Sequence, residues 1–220
     1  LDPTARQRLI AELMTLARAR GYAGYIFDLE NLSPKAAAAY PGFLAQAKAA
    51  FAPTGRDIWL TAPTDDEAWP LKKLQAAADV IVLMAYDEAD DSGPAGAIAG
   101  QGWYERILDK RMRELPADST IVAIGSYAYD WVNRGPANVL GFRDAMGSAR
   151  DAGATVQFDP ATNNPHFAYR EGDGTLHDVW FLDAITVFNQ IHAADHYRPA
   201  GYALWRLGSE DPTVLPLMGQ

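Results

Sequence analysis

The chain has 220 residues, 49% hydrophobic and 21% charged, which is the profile of a globular protein able to bury one substantial core. Its net charge of -9 argues against nucleic acid or an anionic membrane surface as a partner, because phosphate contacts need clustered Lys and Arg. Cysteine is absent, which excludes disulfides and thiolate metal sites, and no apolar run approaches the ~18 residues of a spanning helix.

The chain opens on a helix, with Asp2-Pro3 as its start and Leu9, Ile10, Leu13, Leu16 and Ala17 as an apolar stripe. Gly21 stops it. Residues 24–29 read as a buried strand that ends in two carboxylates, Asp28 and Glu30. Side chains alternate along a strand, so these two share a face with the deeper Ile26, while Tyr25, Phe27 and Leu29 point the other way. Two readings of the acidic end stand side by side. Parallel α/β barrels keep catalytic groups at the C-terminal ends of strands. A strand-end carboxylate can equally cap the next helix, and Asn31 and Ser33 before Pro34 have helix-start chemistry.

Pro34 to Phe51 is predicted helical, 57–62 a strand, Asp65 to Ala78 a helix, and 80–86 a doubly buried strand ending at Tyr86-Asp87. An acidic, glycine-rich loop leads into a helix from Trp103 to Leu115. The strand expected at 120–126 runs on into Tyr127, Tyr129, Asp130 and Trp131. Between 155 and 181 the pattern changes to short antiparallel strands with a hairpin turn at Glu171–Gly174, a small β insertion. A helix from Leu182 to His192 and a strand at 201–205, ending in Trp205, complete the chain.

This alternation predicts an α/β fold with a parallel sheet. A closed (β/α)8 barrel needs eight strands, and five are legible. The expectation is therefore one barrel domain over residues 1–220, incomplete at its N-terminus, in a polypeptide that is longer than the chain.

Four strand ends, in order, carry a resemblance to glycoside hydrolase family 18, the chitinase-like barrels. They are Phe27-Asp28-Leu29-Glu30-Asn31-Leu32, Met84-Ala85-Tyr86-Asp87, Tyr127-Ala128-Tyr129-Asp130-Trp131, and Trp205 with its exit Arg206 to Asp211. His177-Asp178-Val179-Trp180-Phe181-Leu182-Asp183 resembles the spore-cortex type within that family. The resemblance implies a TIM-type barrel from its third helix to its eighth strand. It also implies a hydrolase of polysaccharide containing N-acetylglucosamine, working outside the cytoplasm or in the cell envelope and without a cofactor. Glu30 would be general acid and base. Asp28 would raise the pKa of Glu30 and orient the substrate's acetamido group, and Tyr86 would donate to the acetamido oxygen. Asp87 would bind a sugar hydroxyl, Trp205 would floor the reacting sugar, and Met84, Tyr127, Tyr129, Asp130 and Trp131 would line the cleft. The chain departs from the family pattern at Ala23 and Ile26, where the signature carries acidic or polar residues. Ile26 and the missing strands favour the alternative, a non-catalytic carbohydrate-binding barrel, while Glu30, Asp28 and Tyr86 weigh against it. No metal is expected, because His166, His177, His192 and His196 lack a shared ligand spacing and Glu88, Asp90 and Asp91 read as a solvated loop.

Overall fold

Proline at the first turn and a glycine just beyond the last bracket helix α1, Pro3–Arg20. Asp2 accepts from the Thr4 and Ala5 amides, and Gly21 closes the helix at φ 70°. The computed structural model describes residues 2–67 and 69–219. It divides into two compact units. One runs as far as Met84 and resumes over Arg111–Ile121; the other holds Ala85–Lys110 and continues from Val122.

The first unit continues with β1 (Gly24–Phe27), α2 (Pro34–Phe51), β2 (Asp57–Pro63), α3 (Leu71–Ala77) and β3 (Val80–Met84). β1, β2 and β3 pair in parallel, with Phe27 opposite Leu60 and Thr61 opposite Val82. The pairing of β1 begins at a close approach that only glycine permits. A Cβ on Gly24 would lie 2.1 Å from the Asp57 carbonyl oxygen.

Tyr25 and Phe27 point toward α2, as expected. Their rings meet Phe51 and Phe43 edge-on at 5.7 and 5.2 Å, in a core that also buries Leu44, Ile58, Leu60, Leu74, Ile81 and Leu83. Lys48 crosses from α2 to bond the Ala78 carbonyl at 2.7 Å and Asp79 at 2.9 Å. Asp79 in turn accepts from the Ile58 amide. The helix expected over 65–78 is shorter than predicted, because Pro70 precedes its first residue, Leu71. Ala68, within that expected span, lies outside the described residues.

After β3 come α4 (Gln101–Arg111) and β4 (Thr120–Gly125), which passes from the first unit into the second. The second unit adds β5 (Ala128–Val132), β6 (Ala137–Leu140), α5 (Phe142–Asp151), β7 (Gln157–Phe158), β8 (Pro165–Arg170) and β9 (Leu176–Phe181). It ends with α6 (Ala184–Asp195), β10 (Gly201–Trp205) and α7 (Val214–Met218). β4 and β10 are neighbours. Strands β6-β5-β9-β8-β7 form a separate antiparallel sheet, one face of which packs Ala128, Phe167, Val179 and Phe181 against Ala145 and Ala149 of α5.

This sheet takes in β5 and β6, which lie before residue 155, so the antiparallel region is wider than the sequence suggested. The β8–β9 hairpin turns where expected, with Gly174 at φ 91°. Among the described residues no helix is long and apolar enough to cross a membrane.

Candidate active site

The proposed site residues divide between the two units. Asp28, Glu30 and Met84 belong to the first; Tyr86, Asp87, Tyr127, Tyr129, Asp130, Trp131 and Trp205 belong to the second.

In the first unit β1 ends at Phe27, so Asp28 and Glu30 leave the sheet rather than continue it. Asp28 follows the last paired residue, and the next residue of β2 in that register is Thr61. The Thr61 hydroxyl donates to Asp28 Oδ1 at 2.5 Å. Asn31 takes a left-handed φ of 53°, which turns the chain toward α2. The cap of α2 is Ser33, which accepts from the Ala36 amide at 3.3 Å. The helix-start chemistry expected of Ser33 is therefore present. Ile26, on the face that the family signature makes acidic, is 55% exposed. Met84 closes β3 and accepts, through its carbonyl, the Thr64 hydroxyl at 2.9 Å.

In the second unit an aromatic series stands along β5. Ring centres of Tyr86, Tyr127, Tyr129 and Trp131 follow one another at 6.1, 5.2 and 5.4 Å. The two middle hydroxyls converge on Asp87 Oδ1; Tyr127 makes the shorter bond and Tyr129 bonds at 3.0 Å. Asp87 is an exposed residue whose carboxylate nevertheless lies against these buried rings. That loss of water raises its pKa, while the two hydroxyl donors pull it down. Burial, and then the Asp87 charge, raise both tyrosines. The backbone of Asp87 is left-handed, φ 64°, a conformation of the kind that concentrates at functional sites.

Gly125 makes room for this arrangement. A Cβ there would meet Leu182 Cδ1 and Tyr127 Cε1 at 2.8 Å and Tyr86 Cβ at 3.2 Å.

Four of the expected cleft residues, Tyr127, Tyr129, Asp130 and Trp131, are buried. Side chains alternate along β5, so Asp130 points away from Tyr129 and is buried beneath the sheet. There both its oxygens lie 2.9–3.0 Å from His177 Nδ1, and the His177 ring stacks on Tyr169 at 4.4 Å. Trp131 is 1% exposed and its indole N–H donates to the Gly93 carbonyl at 2.9 Å. Asp130 and Trp131 thus hold the sheet and its neighbouring loop rather than line a surface.

Trp205, in contrast, is 46% exposed. Its carbonyl accepts the Ser126 amide at 2.7 Å. The chain beyond it is tied back by Ser209 Oγ to the Ser126 carbonyl at 2.9 Å and by the Asp211 amide to Ser126 Oγ at 3.2 Å. Two partners were not picked out from sequence, Thr61 and Ser126. Each is a small hydroxyl inside or just after an apolar strand, where composition alone gives no signal. Among the described residues no group of three His, Asp or Glu side chains is placed to hold a metal.

Comparison with known proteins bears on the fold and the family. The chitinase of Chromobacterium violaceum superposes with a TM-score of 0.90 at 27% identity, over 99% of this chain and 72% of that one. The Bacillus cereus spore cortex-lytic enzyme SleL superposes with a TM-score of 0.88 at 26% identity, over 99% and 53%. The expected fold class, part of a (β/α)8 barrel, is therefore correct. In sequence the chain is 27% identical to the cortical fragment-lytic enzyme of Bacillus subtilis and 28% identical to the glycosylase YvbX of the same organism. It covers 52% and 64% of their lengths, so it spans little more than half of these relatives. The match to the family model runs over residues 1–211, nearly the whole sequence, and on that ground the chain belongs to the glycosyl hydrolases of family 18.

Proposed function

We propose that this chain hydrolyses β-linked polysaccharide containing N-acetylglucosamine by a retaining mechanism in which the substrate's own acetamido group takes part. Glycoside cleavage needs an acid for the leaving oxygen and stabilisation of an oxocarbenium-like centre, and family 18 draws the second from the substrate. Glu30 protonates the glycosidic oxygen while the acetamido oxygen attacks the anomeric carbon and the C–O bond breaks. Glu30 then takes a proton from the water that opens the cyclic cation, which restores the β configuration. Asp28 accepts the acetamido N–H and favours the cyclised cation. Tyr86 donates to the acetamido oxygen, Asp87 binds a sugar hydroxyl with Tyr127 and Tyr129 behind it, and Trp205 offers an apolar face to the sugar ring.

The observation that carries this reading is the Asp28–Glu30 pair at the C-terminal end of a parallel strand, with Asp28 fixed from the next strand. Family membership supports it, and the names of the relatives, chitinase and cortical fragment-lytic enzyme, support the substrate class. Such polymers lie outside the cytoplasm, which places the protein's work in the cell envelope or beyond it.

Two measurements on the full polypeptide test the proposal together. A chromogenic N-acetylglucosamine oligomer should be cleaved with the β-anomer as first product by proton NMR, and the de-N-acetylated oligomer should not be cleaved. Efficient cleavage of the de-N-acetylated substrate would contradict substrate assistance. Binding of oligosaccharide with no product would favour a carbohydrate-binding barrel, the reading to which the exposed Ile26 lends weight.

A further inference from the structure

β2 lies between β1 and β3 and is hydrogen-bonded to both, so its backbone is fixed from each side. On that strand Thr61 stands level with Asp28 and gives its hydroxyl proton to Oδ1 at 2.5 Å. On Asp28's own strand the residue two positions back is Ile26, which has nothing to donate. Burial, and after it the Asp28 charge, raise the Tyr40 hydroxyl, which donates to the Phe27 carbonyl at 3.4 Å.

We infer that Thr61 is a positioning residue for the proposed reaction, holding the Asp28 carboxylate in the plane from which its other oxygen accepts the acetamido N–H. The inference rests on the reading of Asp28 and Glu30 given above and adds to it the residue that replaces a deeper acid. The replacement has a chemical consequence. A threonine hydroxyl has one proton to donate, and that proton is committed to Asp28. Unlike a carboxyl partner it does not exchange a proton during turnover, so it orients Asp28 without sharing its charge. The geometry is carried by the neighbouring strand, and therefore does not depend on what stands at position 26.

The test uses the full polypeptide and a chromogenic N-acetylglucosamine oligomer. Thr61→Val and Thr61→Ala each remove the hydroxyl; the first keeps the β-branched shape of a strand residue, and the second guards against a packing fault in the first. Both should lower kcat by about tenfold, the scale of one hydrogen bond to a charged group, with KM within about twofold. Thr61→Ser should keep most of the activity. In an Asp28→Asn background, removing the Thr61 hydroxyl should cause no further loss, since the two residues act as one unit. Wild-type kcat in both hydroxyl-free variants, or the same loss with and without Asp28, would overturn the inference while leaving Glu30 as acid untouched. Full activity in Glu30→Gln would overturn the underlying reading as well, so the two failures are told apart by that single control.

Discussion

At the scale of single residues, the chemistry of this chain is set by what each carboxylate is bonded to. Asp87 receives two tyrosine hydroxyls, Asp130 a buried imidazole, and Asp28 a threonine from the neighbouring strand. None of these bonds was legible in sequence, although Tyr86-Asp87, Tyr127 and Tyr129 stand in recognisable strand ends. The Asp130–His177 pair joins residues 47 positions apart, and no local pattern reports such a bond.

The Asp87 arrangement predicts a definite titration. Loss of water raises its pKa and the Tyr127 and Tyr129 hydroxyls oppose the rise by bonding the charged form. Tyr127→Phe should therefore move the Asp87 pKa further up, read from its carboxyl carbon signal by NMR. The sign for stability follows. A carboxylate whose pKa is raised on folding costs the folded state stability as pH climbs from its ordinary value of 3.8 to the raised one, so Tyr127→Phe should lose more stability than wild type across that window. An unchanged or lowered pKa would mean that Tyr127 does not bond the charged form.

At the scale of elements, the parallel strands were legible and their ends were not. The sequence carries β1 through Leu29, but the paired strand stops at Phe27, where Asp28 turns to Thr61 of β2. The run from Thr120 to Trp131 reads as a strand over 120–126 with a polar-aromatic end. In the structure it is two, β4 and β5, divided at Ser126, whose amide bonds the Trp205 carbonyl while Tyr127 accepts from the Leu182 amide. Alternation persists across the break, and the partners that create it lie far along the chain. β6, Ala137–Leu140, has no strand signal of its own and exists because β5 pairs with it.

Gly125, just before this break, gives the element-scale prediction. A Cβ at that position is too close to Leu182 and Tyr127 for either ring or methyl to stay in place. Gly125→Ala should therefore lower stability by about 1–3 kcal/mol, the usual cost of overpacking, and should lower kcat as Tyr127 is displaced from Asp87. A thermal melt and a kcat measurement at wild-type values would show that the close approach is not needed.

At the scale of the whole molecule, the family assignment rests on 211 matched residues, while the chain covers about half to two thirds of its curated relatives. Composition argued against nucleic acid and an anionic membrane surface, and strand order and strand ends pointed to the fold class, because parallel α/β barrels place their chemistry at a fixed end of each strand. Substrate choice belongs to loops, where sequence pattern carries least physical information. The central claim is that Glu30 donates and recovers the proton, and general acid–base groups are worth roughly 10²–10⁴ in rate. The direct measurement is turnover of a chromogenic N-acetylglucosamine oligomer by Glu30→Gln in the full polypeptide, with circular dichroism to show that the fold is kept. A loss of at least about a hundredfold in kcat is predicted; wild-type turnover by a folded Glu30→Gln variant would contradict the account.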